Sequence, residues 1–321
     1  MMTKDKIHLP NVKITLKQFK MQELLKIDFH DVAPDWAHSH VQVPTPFILK
    51  NGNLRVYFAT RNTAGKSLTT YFDIAKDFKI LKYSKPILQL GEIGTFDRDG
   101  VMVSSIIEIS NQIYLYYTGW SVSSEVPYTT SVGLAISKDN GSTFTRYSKG
   151  PILGIDQNNH LFTNTPYVSK INSSYRCFYG SGLNWIERNN KWEPQYQIKE
   201  ATSSDGINWK TTENHVISTL LELESNVRPW LIKINEEYHL YYCFRGTNDF
   251  RNGTDSYNIA FAISKDLKSW SHPKVLHELQ IFKEEELKMC AYPAVIEWNG
   301  RTLLFYNGNT FGKYSIYVIE I

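Results

Sequence analysis

The chain has 321 residues, of which 42% are apolar, 14% aromatic and 21% charged, enough to build a large core and too apolar for a disordered segment. Lys plus Arg number 35 against 32 Asp plus Glu, a net charge of +3, and no basic stripe interrupts the sequence, which argues against a nucleic-acid partner. The opening MMTKDKIHLPNVKITLKQF lacks the apolar core of a signal peptide, and no apolar run approaches the roughly 18 residues of a membrane helix. A cytoplasmic protein without a membrane partner is expected. Three cysteines, Cys177, Cys243 and Cys290, lack CxxC spacing and read as reduced, mostly buried thiols.

In chain order, PTPFILKNGNLRVYFATR, GVMVSSIIEISNQIYLYYTGW, TPYVSKINSSYRCFYGSG, RPWLIKINEEYHLYYCFRG and YPAVIEWNGRTLLFYNGN share one form. Each is an apolar strand, a polar turn and an aromatic-rich strand. Their aromatic doublets align Tyr57, Tyr116, Phe178, Tyr241 and Phe305, with spacings by subtraction of 59, 62, 63 and 64 residues. A repeat of this length sets the fold class. Four of the five hairpins are followed by a further alternating strand, an aspartate turn and a short strand, which aligns Asp77, Asp139, Asp205 and Asp266. Four strands per unit make a propeller blade.

The prediction is therefore an all-β, single-domain five-bladed β-propeller over residues 1–321, with four-stranded antiparallel blades. The last unit stops after a third strand, YSIYVIEI, and a β-like segment, NVKITL, stands unassigned near the start. Terminal strands would close the ring and remove its exposed edges. Only the stretch from about Leu276 to Met289, containing FKEEELKM, reads as helical, an insertion before the fifth blade. The turn SKDNGSTF, Ser137 to Phe144, resembles the Asp box of sialidases and other propellers. Its aspartate reads as a cap on turn amides, not as a catalyst.

The first strand of a blade lies nearest the axis and the second returns antiparallel, so the start of one and the end of the other share a face. The lead-ins HSHVQVP, FDRDGV, HLFTNTP, ELESNVRP and KMCAYP bring His38, His40, Asp97, Asp99, His160, Glu222, Glu224, Arg228 and Lys288 toward the mouth. The exits of the second strands bring Arg61, Trp120, Asn184, Trp185, Arg245 and Asn309. Two carboxylates across a mouth suit acid and base roles. Arginine forks grip carboxylate or phosphate, and tryptophan faces stack on sugar rings. The combination points to a carbohydrate.

The five-unit period, the FDRDGV lead-in and the ESNVRPWLIK lead-in resemble the five-bladed glycoside hydrolases of families 32, 43, 62 and 130, and the likeness covers almost the whole chain. The resemblance to family 43 implies three site carboxylates: an Asp in the first blade, an Asp in the second and a Glu in the third. Asp97 matches the second-blade Asp, and Glu224 matches a general acid by residue type. The sequence departs from that pattern at the first blade, which has His38 and His40, and at the third, which has His160, with Glu224 one blade later. The chain also resembles uncharacterised bacterial glycosidase-like propellers whose genes often sit among those for surface-polysaccharide synthesis.

Within the pairs, strand alternation places Asp97 ahead of Asp99, and Glu224 ahead of Glu222. Each of the four also reads as a turn cap or a solvated loop charge. Arg228, inside an apolar run, pairs with an acid or with a ligand. Trp120 and Trp185 are either a sugar platform or plugs between blades. His38, His40 and His160 with Asp97 or Glu224 have ligand types that suit zinc, iron or manganese, but HxH spacing alone is weak, and neither metal nor cofactor is assigned. The expectation is a glycoside hydrolase-type enzyme for an acidic or phosphorylated sugar. Glu224 is its general acid, Asp97 its base or stabiliser, and His40 and His160 orient carboxylates or water. Arg61, Arg228 and Arg245 hold the anion, and Trp120 and Trp185 line the ring. A noncatalytic carbohydrate-binding propeller is the alternative, as is sugar transfer or phosphorolysis on the same scaffold.

Overall fold

The computed structural model describes residues 21–83, 85–251, 253–280 and 289–321. After β1 (Gln22–Asp28), the strands β2 (Ser39–Ile48), β3 (Leu54–Arg61), β4 (Ser67–Ile74) and β5 (Ile80–Lys82) form an antiparallel meander. The pattern repeats in β6 (Gly100–Ile109), β7 (Gln112–Val122), β8 (Tyr128–Ser137) and β9 (Thr145–Arg146), and again in β10 (Thr163–Ile171), β11 (Ser174–Arg188), β12 (Lys191–Ser203) and β13 (Lys210–His215). It continues in β14 (Ser225–Ile234), β15 (Glu237–Arg245), β16 (Asn258–Ser264) and β17 (Lys274–Val275), then in β18 (Ala291–Trp298), β19 (Arg301–Asn307) and β20 (Ser315–Glu320). One parallel pairing, Ser67 with Gly100, links the β2–β5 and β6–β9 meanders into a larger sheet.

The last sheet takes its fourth strand from the N-terminal side, because β1 pairs antiparallel with β20. This strand is QELLKID; the segment NVKITL lies outside the described residues. Of the helix expected over Leu276 to Met289, a 3₁₀ turn at His277–Gln280 is present, and residues 281–288, Lys288 included, lie outside the described residues. Among the described residues, α-helix is confined to the single turns α1 (Phe29–Val32) and α2 (Asn309–Gly312), and no helix is long and apolar enough to cross a membrane.

The inner strands pack in sequence around a centre: β2 on β6, β6 on β10, β10 on β14, β14 on β18 and β18 on β2. Both faces of the aromatic doublets are buried as a result. Tyr57 packs with Tyr71, Val101 and Tyr117 between the first two meanders, while its neighbour Phe58 faces the other way with Phe72 into a cluster holding Phe305 and Ile316. Tyr116 and Tyr179 share the next layer, and Phe178, Leu240 and Tyr242 the one after it. Gly133 in β8 is required by this packing: a Cβ there would stand 2.2 Å from Tyr117 Cζ.

The in-register tyrosines also explain the aspartate turns. Tyr57 OH donates to Gly141 O (2.8 Å) and Tyr116 OH to Gly206 O (2.8 Å), so each reaches the turn of the following meander. Within the turns, Asp139 Oδ1 accepts from the amides of Ser142 and Thr143, Asp205 from Ile207 and Asn208, and Asp266 from Lys268 and Ser269. Asp77 accepts from the Lys79 amide. Amide donors stabilise the ionised form, and those of Ser269 and Lys268 bring Asp266 down to about 2. These aspartates are structural caps. Cys177, Cys243 and Cys290 are buried and form no disulfide with one another.

Candidate functional site

Every inner strand breaks its ladder at the same place. Register shifts fall between Gln42 and Thr45, Val103 and Ser105, Asn164 and Tyr167, Val227 and Trp230, and Ala291 and Ala294. Four of these bulges put a non-glycine residue at positive φ: Val43 at 56°, Thr165 at 42°, Arg228 at 60° and Tyr292 at 58°. Such backbone persists only where its surroundings over-determine it. Here they do. The Val43 amide donates to Asn307 Oδ1 (2.9 Å), that of Thr165 to Thr118 Oγ1 (2.8 Å), and that of Arg228 to Thr165 Oγ1 (3.2 Å), each partner belonging to the preceding meander. Bulges re-aim side chains at sites, and these turn Gln42, Asn164, Thr165, Val227 and Tyr292 toward a cavity of about 330 Å³. Each of the four strained residues precedes a proline, Pro44, Pro166, Pro229 or Pro293. Proline inside a strand belongs at bulges and edges, and that is the signal in the sequence that locates them.

Arg61, Trp120 and Arg245, at the ends of the second strands, complete the wall with Tyr128, Tyr196 and Tyr257 at or beside the third strands and Arg251 from a loop. The three arginines differ. Arg245, 1% exposed, stacks 3.7 Å over Phe250 and donates to Tyr196 OH (3.2 Å), Gly246 O (2.8 Å) and Pro194 O (2.6 Å). Arg251 pairs with Glu193 (2.7 Å). The half-buried Arg61 guanidinium makes no hydrogen bond or ion pair to a described residue, and burial lowers its pKa while the Tyr292 phenol opposes the shift. Two further cavity groups have no partner among the described residues: Gln42 Oε1, in a side chain 2% exposed, and Trp120 Nε1. Unpartnered polar atoms cost stability unless something outside the chain satisfies them.

The carboxylates expected at the mouth are elsewhere. Asp97 is 1% exposed and does not line the cavity: its Oδ2 accepts from Arg146 Nε (2.8 Å) and Tyr117 OH (2.9 Å), and its Oδ1 from Thr95 (2.9 Å). Asp99 lines the cavity instead, held by Lys66 (2.9 Å) and the Val122 amide (2.9 Å), which with other donors keep its pKa below the ordinary range. Alternation misassigns the pair because Thr95 to Asp99 is a turn, where the period of two does not operate. Glu224 is likewise fully buried and off the cavity. Its carboxylate folds back onto the amides of Leu220 (2.7 Å) and Leu221 (3.2 Å) and the Asn226 side chain (2.8 Å), and burial pushes its pKa up.

Arg228 crosses the centre and forms no ion pair with an acid among the described residues. Its guanidinium donates to Ser104 O in β6 and to Pro44 O and Thr45 Oγ1 in β2 (both 3.0 Å), and burial lowers its pKa to about 9. His40 is 7% exposed, bonded through Nδ1 to Ser39 Oγ (2.7 Å), and burial followed by Arg61 and Lys313 lowers its pKa to about 4. It is neutral at pH 7 and does not line the cavity. His160 is exposed and contacts Leu183 O (3.1 Å). Trp185 packs on Tyr128 (5.4 Å) and Phe162 (5.7 Å), supporting the wall from behind. Asn184 bonds Gln195, and Asn309 accepts from the Met289 amide. Among the described residues no three His, Cys, Asp or Glu side chains cluster as a metal site.

Sequence reasoning missed the tyrosines. Tyr196 OH is hydrogen-bonded to Tyr257 OH, and both rings, with Tyr128 and Tyr292, line the cavity. Tyr128, Tyr196 and Tyr257 lie in or beside third strands, a position that the first-strand and second-strand rule does not select.

No family model matches the chain. The uncharacterised protein Rv1502 of Mycobacterium tuberculosis is 29% identical over 293 residues, covering 89% of this chain and 94% of its own. Among solved structures, BT0996 in its RGII complex superposes with a TM-score of 0.71 at 17% identity, over 93% of this chain and 91% of that one. A thermostable family-43 glycoside hydrolase superposes with a TM-score of 0.65 at 15% identity, over 89% and 91%. At these identities the likeness establishes the fold alone, one shared with solved structures that include a family-43 glycoside hydrolase.

Proposed function

We propose that the protein is a carbohydrate-active enzyme of glycoside hydrolase type, a single five-bladed propeller over residues 1–321 closed by β1 on β20, acting in the cytoplasm on an acidic or phosphorylated sugar or glycan. The observation that carries the reading is the unmet polarity of an aromatic cavity: the Arg61 guanidinium, the Gln42 Oε1 acceptor and the Trp120 Nε1 donor have no hydrogen-bond partner among the described residues. A polyhydroxylated ring with an anionic substituent satisfies all three, since hydroxyls accept and donate and a carboxylate or phosphate fits the guanidinium fork. The fold neighbours, named as glycoside hydrolases, support glycan chemistry. A role in surface-polysaccharide or sugar metabolism rests on the resemblance to bacterial glycosidase-like propellers.

A noncatalytic binding propeller is the second reading, and one observation favours it: Asp99 is the only carboxylate among the described cavity residues, and it is engaged by Lys66. Hydrolysis with two carboxylates needs a second. Incubation with neutral, uronic and phosphorylated oligosaccharides, followed by mass spectrometry and calorimetry, separates the two. The enzyme reading predicts turnover of an acidic member; binding of an acidic member without turnover contradicts it and establishes the second reading.

A further inference from the structure

The groups that converge on the cavity are phenols and guanidiniums. Tyr196 OH accepts from Arg245 Nε at 3.2 Å and is bonded to Tyr257 OH. Arg245 is itself fixed, through two backbone carbonyls and the Phe250 ring. Tyr292 spans the gap to the other side: its ring is 6.1 Å from that of Tyr257, and its phenol interacts electrostatically with both Tyr196 and Arg61. One cavity is thus lined by a cation with no hydrogen-bond partner among the described residues, Arg61, and by a phenol whose oxygen already receives a charged donor, Tyr196.

Cleavage of a glycosidic bond does not require two carboxylates when the sugar is a uronic acid linked through O4. The hydrogen on C5 is α to the carboxylate, and a guanidinium bound to that carboxylate acidifies it. A base removes the C5 proton, the released electron pair forms the C4–C5 double bond, and the C4–O4 bond breaks with its electrons going to O4. O4 then takes up the proton, so the step consumes no water, metal or oxidant. We infer that this protein cleaves 4-linked uronate glycosides by such an elimination, with Arg61 on the substrate carboxylate and Tyr196 as the base that takes the C5 proton and returns it to O4. Donation from Arg245 Nε and the hydrogen bond with the Tyr257 hydroxyl hold the Tyr196 oxygen in place on the cavity wall. Asp99, tied to Lys66, has no part in this step. The inference rests on the acidic-glycan reading above and specifies its substrate and its bond-breaking route.

The full-length protein is incubated separately with oligosaccharides of polygalacturonate, alginate and hyaluronan, and products are followed by mass and by ultraviolet absorbance. Elimination gives fragments whose summed mass equals that of the substrate, one of them carrying an absorbing unsaturated carboxylate. Fragments that sum to one water more, without absorbance, overturn the inference and leave the hydrolase reading standing. No cleavage of any of the three overturns the inference, and retained turnover of another acidic sugar then shows that the broader reading survives. Tyr196→Phe is expected to lower the rate at least about 100-fold, the scale of acid–base catalysis, with a KM close to wild type in a protein whose folding is confirmed by circular dichroism. Elimination at the wild-type rate in a folded Tyr196→Phe protein overturns the assignment of the base.

Discussion

Arg228 and Arg61 lie in different meanders, the fourth and the first, and the contrast between them separates architecture from site. Arg228 is fully buried, yet its guanidinium is directed at backbone and hydroxyl acceptors of β2 and β6, bracing inner strands that bulges have opened. Arg61 is less buried and has no such bonds among the described residues, although it faces the cavity. The same division holds for acids: Asp97 and Glu224 are buried and saturated with donors, whereas Asp99 stands on the cavity wall. Burial of a charged group is thus a poor marker of function in this fold. Unmet hydrogen-bonding capacity beside a cavity is the better one.

The comparison is broken most forcefully at Arg228. Arg228→Ala leaves Pro44 O, Ser104 O and Thr45 Oγ1 without their donor and a void at the centre, and a loss of about 3–5 kcal/mol is expected from orphaned buried polar groups. Calorimetric unfolding measures it; a thermal midpoint close to wild type would mean that Arg228 braces nothing. The next effect is a pH dependence at His40. Its pKa falls from an ordinary 6.5 to about 4 in the folded protein, so the unfolded chain binds the extra proton first. Stability is complete above about pH 6.5 and declines as pH falls toward 4, by up to about 3 kcal/mol from this group. His40→Gln should flatten urea-unfolding free energies across that window, and an unchanged slope would place the titration elsewhere. Asp97→Asn gives a smaller change, about 1–2 kcal/mol, since the amide oxygen keeps an acceptor for Arg146 and Tyr117 but loses the charge.

The repeat was readable because aromatic doublets are buried on both faces in every meander, leaving a signal at Tyr57, Tyr116, Phe178, Tyr241 and Phe305 that no polar alternative imitates. The aspartate turns were readable because an Asx cap is local: Asp139, Asp205 and Asp266 need only amides two to four residues away. The site was partly readable, with Arg61, Trp120, Arg245 and Asp99 all named from strand direction. Asp97 and Glu224 were ranked above their neighbours by an alternation that stops at the strand boundary, and each lies in or against a turn. Arg228 was anchored by partners more than 120 residues away, which no local pattern encodes. Tyr196 and Tyr257 meet across 61 residues, and only the packing of neighbouring meanders reveals that they share a cavity.

The most direct test of the contrast is calorimetric titration of an acidic trisaccharide, trigalacturonate, into wild type, Arg61→Gln and Asp97→Asn. Binding at least tenfold weaker, about 1.4 kcal/mol, is expected in Arg61→Gln. Affinity within about twofold of wild type is expected in Asp97→Asn once folding is confirmed, because a charge outside the cavity contributes little to contacts made inside it. Undiminished binding in Arg61→Gln together with its loss in a folded Asp97→Asn protein would contradict the contrast and move the site to the buried carboxylate.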